Sequence, residues 1–149
     1  MIERSEAERW SGYRGDYDLA CAVEGVLGVV ATPSMPSSAE ALVIGDEPLS
    51  TTFLPERNVV LQWIHAASEE ELISAVLASD FAAIAWEDGP EISLDGDIVI
   101  FDAALPWDEV SGEDVLNFGL PKGRYRTLTA DVDLHTENAA RLHLLTAVE

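Results

Sequence analysis

The sequence predicts an α+β fold: mostly antiparallel β-sheet, one principal helix at about residues 68–80, and a largely all-β C-terminal half. Three observations carry this. Some eight or nine short apolar or β-branched runs follow one another closely, and runs so near in sequence pair antiparallel, since parallel pairing needs a long crossover. One stretch joins a capping residue to apolar residues at 3/4 spacing. Finally, 149 residues, 48% of them hydrophobic, suit a single domain over 1–149 that buries a core without a disulfide or metal staple.

Residues 20–31 are apolar and β-branched with Gly25 and Gly28 inside, which predicts a strand bent or bulged at the glycines. The TPSMPSS patch at 32–38 reads as an exposed loop. ALVIG at 41–45 predicts a short strand ended by a turn at 46–48, and residues 51–54 predict another, stopped by Pro55. NVVLQWIHA at 58–66 predicts a strand buried on much of both faces. The helix follows. Ser68 caps its first turn, Glu71 is placed to reach back, and Glu69–Glu71 sit at the positive end of the dipole. Leu72, Ile73, Val76 and Leu77 form its apolar stripe, and it ends near Ser79 and Asp80.

Beyond the helix, residues 82–86 predict a strand, 87–96 an acidic turn region, and 98–102 an apolar strand. Residues 106–114 read as a loop. A strand at 115–120 is expected to break at Pro121, with a turn at Lys122–Gly123 and final strands at 124–132 and 141–148.

Charge narrows the function. The chain holds 28 acidic and 8 basic residues, a net charge of −20. Phosphate backbones and anionic membrane surfaces require clustered Lys and Arg, so neither nucleic acid nor membrane is an expected partner, and a basic protein is. Residues 58–121 contain 14 acids and no Lys or Arg. No apolar run approaches the ~18 residues of a membrane span. The charged start MIERSEAERW is unlike a signal peptide, so a cytoplasmic protein is expected.

Catalytic and metal chemistry finds little support in the residues. His65, His135 and His143 have no ligand spacing; His135 and His143 flank an expected hairpin and read as exposed strand-end residues. Cys21 in an apolar strand reads as a buried, inert thiol. Asp16 with Asp18, and Asp95 with Asp97, are carboxylate pairs without the calcium-loop pattern and read as solvated turns. No phosphate loop or nucleophile elbow is present, and no cofactor or metal is expected. Of Trp10, Trp63, Trp86 and Trp107, the first three read as core, Trp63 most clearly. Trp107, following Pro106 in an acidic loop, reads as an exposed interface anchor.

Six stretches in order resemble the immunity protein 21 family of bacterial polymorphic toxin systems: DYDLACAVEG at 16–25, ALVIGDEPLSTTFLPE at 41–56, WIHAASEEEL at 63–72, WEDGP at 86–90, IVIFDAALP at 98–106 and LPKGRYR at 120–126. The resemblance runs from about Trp10 to the C-terminus, and GDEP followed by TTFLPE is its most specific part. Family members open with an additional apolar segment where this chain has nine mostly polar residues, so residues 1–9 are expected to be disordered or a short helix. The resemblance implies a non-enzyme that binds a cognate toxin domain, often a basic nuclease, in the producing cell. The partner surface is expected at Glu87, Asp88, Glu91, Asp95 and Asp97 of the acidic turn region, with Trp107 as anchor. The alternatives are a small hydrolase using acids near Trp86 and Trp107, or a non-catalytic ligand-binding or scaffold domain.

Overall fold

A computed structural model describes residues 1–34, 39–45, 47, 49–134 and 137–149. The chain forms two compact units. One comprises Met1–Pro48, Pro90–Tyr125 and Ala147–Glu149, and the other Leu49–Gly89 and Arg126–Thr146. The architecture is α+β with mostly antiparallel strands, and its longest helix is the expected one.

In the first unit, β1 (Ile2–Glu3) leads directly into α1 (Arg4–Ala7), so the polar opening residues form a strand end and one helical turn. Backbone bonds link Met1 to Leu42 in both directions, at 2.7 and 2.8 Å. A 3-10 turn at Gly12–Arg14 leads to α2 (Asp16–Cys21). The two strands β2 (Leu27–Val30) and β3 (Ala41–Ile44) pair antiparallel, Leu27 opposite Ile44 and Val30 opposite Ala41. β1 pairs antiparallel with β6 (Glu87–Ile100), Ile2 opposite Val99, and β6 neighbours β7 (Leu116–Asp133). The core gathers Ile2, Ala7, Trp10, Ala20, Ala41 and Val99.

In the second unit, β4 (Thr51–Leu54) and β5 (Val59–His65) form a hairpin with Thr51 opposite Gln62 and Leu54 opposite Val59. Asn58 closes its turn at φ 51°, the left-handed region that Asn tolerates better than most residues. β5 pairs antiparallel with β8 (Ala139–Val148), and β8 neighbours the C-terminal part of β7. A register shift between Trp63 and His65 makes Ile64 the extra residue of a bulge, which leaves it exposed. α3 (Glu69–Ala78) begins as read from the sequence, with Ser68 Oγ accepting the Glu71 N–H at 3.2 Å. Leu72 and Val76 are fully buried against Leu54, Val59, Leu61, Ala140 and Leu142. Burial of such side chains contributes about 1.5–3 kcal/mol each.

Four expectations are corrected. The strand at 20–31 is α2 followed by the shorter β2: the Asp16 carboxylate and the Ser11 hydroxyl cap each other's backbone N–H groups and start a helix the apolar composition hides. Residues 82–86 are no strand; Asp80 accepts the Ala82 N–H and sets a 3-10 turn at Phe81–Ala83. The acidic turn region at 87–96 lies within the 14-residue strand β6. Its buried Ile92 and Leu94 alternate with outward Glu91, Ser93 and Asp95, and Gly96, at φ 72°, is absorbed without ending the strand.

The fourth correction is at Pro121, which does not break its strand: β7 runs through it for 18 residues. The hairpin register, fixed by Arg141 to Asp131 and His143 to Thr129, exhausts β8 before it reaches Pro121. Proline therefore sits where one strand edge lacks a β8 partner and needs no N–H on that side.

Candidate functional site

The acids expected to meet a partner all lie on β6 and are at least partly accessible. Glu87 and Asp88 belong to the second unit and Glu91, Asp95 and Asp97 to the first. Two of them are matched from β7. Lys122 Nζ donates to Asp95 Oδ2 at 2.7 Å and Arg124 Nε to Glu91 Oε2 at 2.6 Å. The absence of bases over residues 58–121 therefore overstates the local charge, because the ladder brings them from the next strand. The Asp95 pairing raises the Lys122 pKa above its usual value. Asp97 lines an open groove of about 380 Å³ with Arg4, Ile98 and Asn117, and Arg4 donates to Asn117 at 2.6 Å. Nearby, burial first and Asp95 second push the Glu3 carboxyl up.

Trp107 is half-buried, a correction to its expected exposure. Its ring makes a T-shaped contact with Phe101 at 5.3 Å and lies 5.9 Å beneath the Arg4 guanidinium. The reason is a junction that the sequence does not announce. Trp107 N donates to Trp10 O at 3.1 Å, Tyr13 N to Ala104 O at 2.8 Å, and the Trp10 indole to Ala103 O at 2.9 Å. Gly12 makes this approach feasible: at φ 52° a Cβ there would lie 2.3 Å from the Leu105 backbone. Trp86 is likewise half-buried, tilted on Phe81 at 5.8 Å with its indole donating to Phe81 O. Trp63 is half-buried rather than fully enclosed, while Trp10 is core as expected.

Sequence reading missed an exposed aromatic face. In α2 the carboxylate of Asp16 and the methyl of Ala20 point inward, whereas Tyr17, Leu19 and Cys21 are exposed. Just before it, Tyr13 is 60% exposed and its hydroxyl donates to Glu109 at 2.8 Å. Arg14 forks to Asp108 at 2.9 and 3.0 Å and to Glu109, which raises its pKa. The available signal was Ser11 followed by Asp16, with Ala20 and Ala22 beyond, outweighed by the β-branched residues that begin at Val23.

The remaining candidates are relocated. Cys21, expected to be buried, is exposed at the end of α2, and a Tyr17–Cys21 hydrogen bond raises the tyrosine pKa. Asp16 and Asp18 do not share an extended face: Asp16 is buried and Asp18 exposed. His143, expected at the surface, is fully buried, its Nδ1 3.1 Å from Thr129 Oγ1 and its Nε2 2.9 Å from Gln62 Oε1. Burial, then Arg141, holds its pKa down to about 4, so the ring is neutral at pH 7; Asp131 opposes the shift. His135 lies outside the described residues, and His65 is exposed. Among the described residues no three His, Cys, Asp or Glu side chains cluster as a metal site, and no helix is long and apolar enough to cross a membrane.

The chain is an acidic α+β protein whose β6 and β7 are joined by ion pairs. The Immunity protein 21 family model matches residues 1–138, and the chain belongs to that family. The match includes the nine opening residues that β1 and α1 organise. No curated protein and no solved structure matches the chain.

Proposed function

We propose that this immunity protein binds and neutralises one cognate toxin domain of a polymorphic toxin system, a basic nuclease, in the cytoplasm of the producing cell. Family membership over residues 1–138 carries the reading, and the net charge of −20 supports a basic partner. The family match passes through both units. The mechanism is stoichiometric occlusion without catalysis. The outward acids of β6, chiefly Glu87, Asp88 and Asp97, raise the encounter rate with a positive cleft. Glu91 and Asp95, held by Arg124 and Lys122, supply less bare charge.

The test is co-expression with the C-terminal domain encoded by the adjacent gene. Rescue of growth together with 1:1 co-purification is expected. Growth arrest undiminished by the protein, with no complex, overturns the reading.

A further inference from the structure

A six-residue helix is far too short to persist alone, since isolated helices below roughly 12–15 residues are marginal in water. Something external must hold α2, and its polarity shows what does. Two of its side chains are buried: Ala20 at 6% exposure in the apolar core, and the Asp16 carboxylate at 2%, accepting the Ser11 N–H at 2.8 Å and the Ser34 hydroxyl at 2.9 Å. The outward side chains are the large ones, Tyr17 at 36% and Leu19 at 40% exposure. Asp16 and Ala20, four residues apart, face inward, while Tyr17 and Leu19, two residues apart, project from the two flanks of the helix. Tyr17 and Leu19 each keep more than a third of their surface in water, area that a partner could still cover.

The face is also concentrated. Of the five large apolar side chains exposed among the described residues, Tyr13, Tyr17 and Leu19 fall within seven positions of the chain, while Ile64 and Val148 lie elsewhere. Tyr13 is pre-oriented by Glu109 and by the Arg14 guanidinium 5.7 Å from its ring. Tyrosines fixed in this way lose little entropy on contact, which is why they dominate binding surfaces. Glu109 and Asp108, both paired with Arg14, lie beside Tyr13, Asp102 lies near Tyr17, and exposed Asp18 stands between Tyr17 and Leu19 in the chain.

We propose that Tyr13, Tyr17 and Leu19, exposed on the turn before α2 and on the two flanks of that helix, form the anchoring surface for a basic toxin domain. The surface rests on the immunity reading above, and its occupant is argued from charge: an aromatic centre with an acidic surround is complementary to a cationic protein face. The β6 acids accelerate the encounter, whereas this face sets the lifetime of the complex.

Binding to the purified adjacent-gene toxin domain is measured for wild type, Tyr17→Ser/Leu19→Ser, and the control Ile64→Ser. The double variant is expected to weaken binding by at least ~30-fold, mainly through faster dissociation, with melting temperature and circular dichroism near wild type, and Ile64→Ser to have no effect. Should the double variant fold poorly, Leu19→Arg places a cation on the exposed face without touching the core and is expected to lose binding similarly. Unchanged affinity in a folded variant overturns the surface and leaves the immunity reading standing. A wild-type protein that neither binds nor protects overturns both. A wild-type dimer that Tyr17→Ser/Leu19→Ser converts to monomer assigns the face to a second copy and overturns the toxin as its occupant.

Discussion

Both carboxylate oxygens of Asp16 lie 2.9 Å from the Ser34 hydroxyl, which ties the chain after β2 back to the first residue of α2. The Ser11 N–H completes the set at 2.8 Å. Replacing Asp16 by Ala strands two donors and removes the anchor of a helix that cannot stand alone. The variant should lose about 2–3 kcal/mol in denaturant unfolding, as expected for hydrogen bonds to a charged group. A loss below about 0.5 kcal/mol would mean that α2 is held by other contacts.

Ser68 offers a cleaner local test, because its hydroxyl accepts one N–H at the start of α3. Ser68→Ala should lower unfolding free energy by about 1 kcal/mol and leave toxin binding unchanged. Equal stability in urea would contradict the cap.

His143 gives stability a pH dependence. In the folded chain its pKa is held to about 4 against an ordinary value of 6.5. Between these values the unfolded chain takes up a proton that the folded chain refuses. Stability from this group is therefore full above pH 6.5, falls as pH drops toward 4, and changes no further below that. The loss amounts to about 3 kcal/mol at 1.36 kcal/mol per pKa unit. The His143→Gln variant, which cannot titrate there, should show a correspondingly shallower fall between pH 7 and 4. Parallel curves for the two proteins would rule out the buried imidazole as the cause.

Charge steering is testable on β6 without disturbing its ion pairs. Replacing Glu91 or Asp95 would release Arg124 or Lys122 as well as remove an acid, so the informative set is Glu87→Gln, Asp88→Asn and Asp97→Asn together. Association with the toxin domain at low salt should slow about tenfold while dissociation changes little. The charge-matched control replaces Glu69, Glu70 and Glu71 on α3 by Gln. Equal slowing from both triplets would mean that net charge alone steers, and β6 would lose its special role.

Local physics made part of this molecule legible in its sequence. The β4–β5 hairpin, α3 and β8 follow from short-range signals: Pro55 ending a strand, Ser68 capping a helix, apolar spacing along 72–77 and a β-branched run along 59–65. The same holds for the acid excess, which is a property of composition, and for the motifs that resemble the immunity family. What tertiary structure decided lies where partners are distant in sequence. Ser34 holds the buried Asp16 carboxylate, Lys122 and Arg124 neutralise two acids of an apparent turn, and Gly12 lets residues 103–107 dock on Trp10 and draw Trp107 inward. His143 is buried because Thr129 and Gln62 satisfy both ring nitrogens from neighbouring strands. A window along the chain registers period and caps. It does not register which strand will lie alongside, and that neighbour determines whether a charge is bare, a ring exposed or a histidine wet.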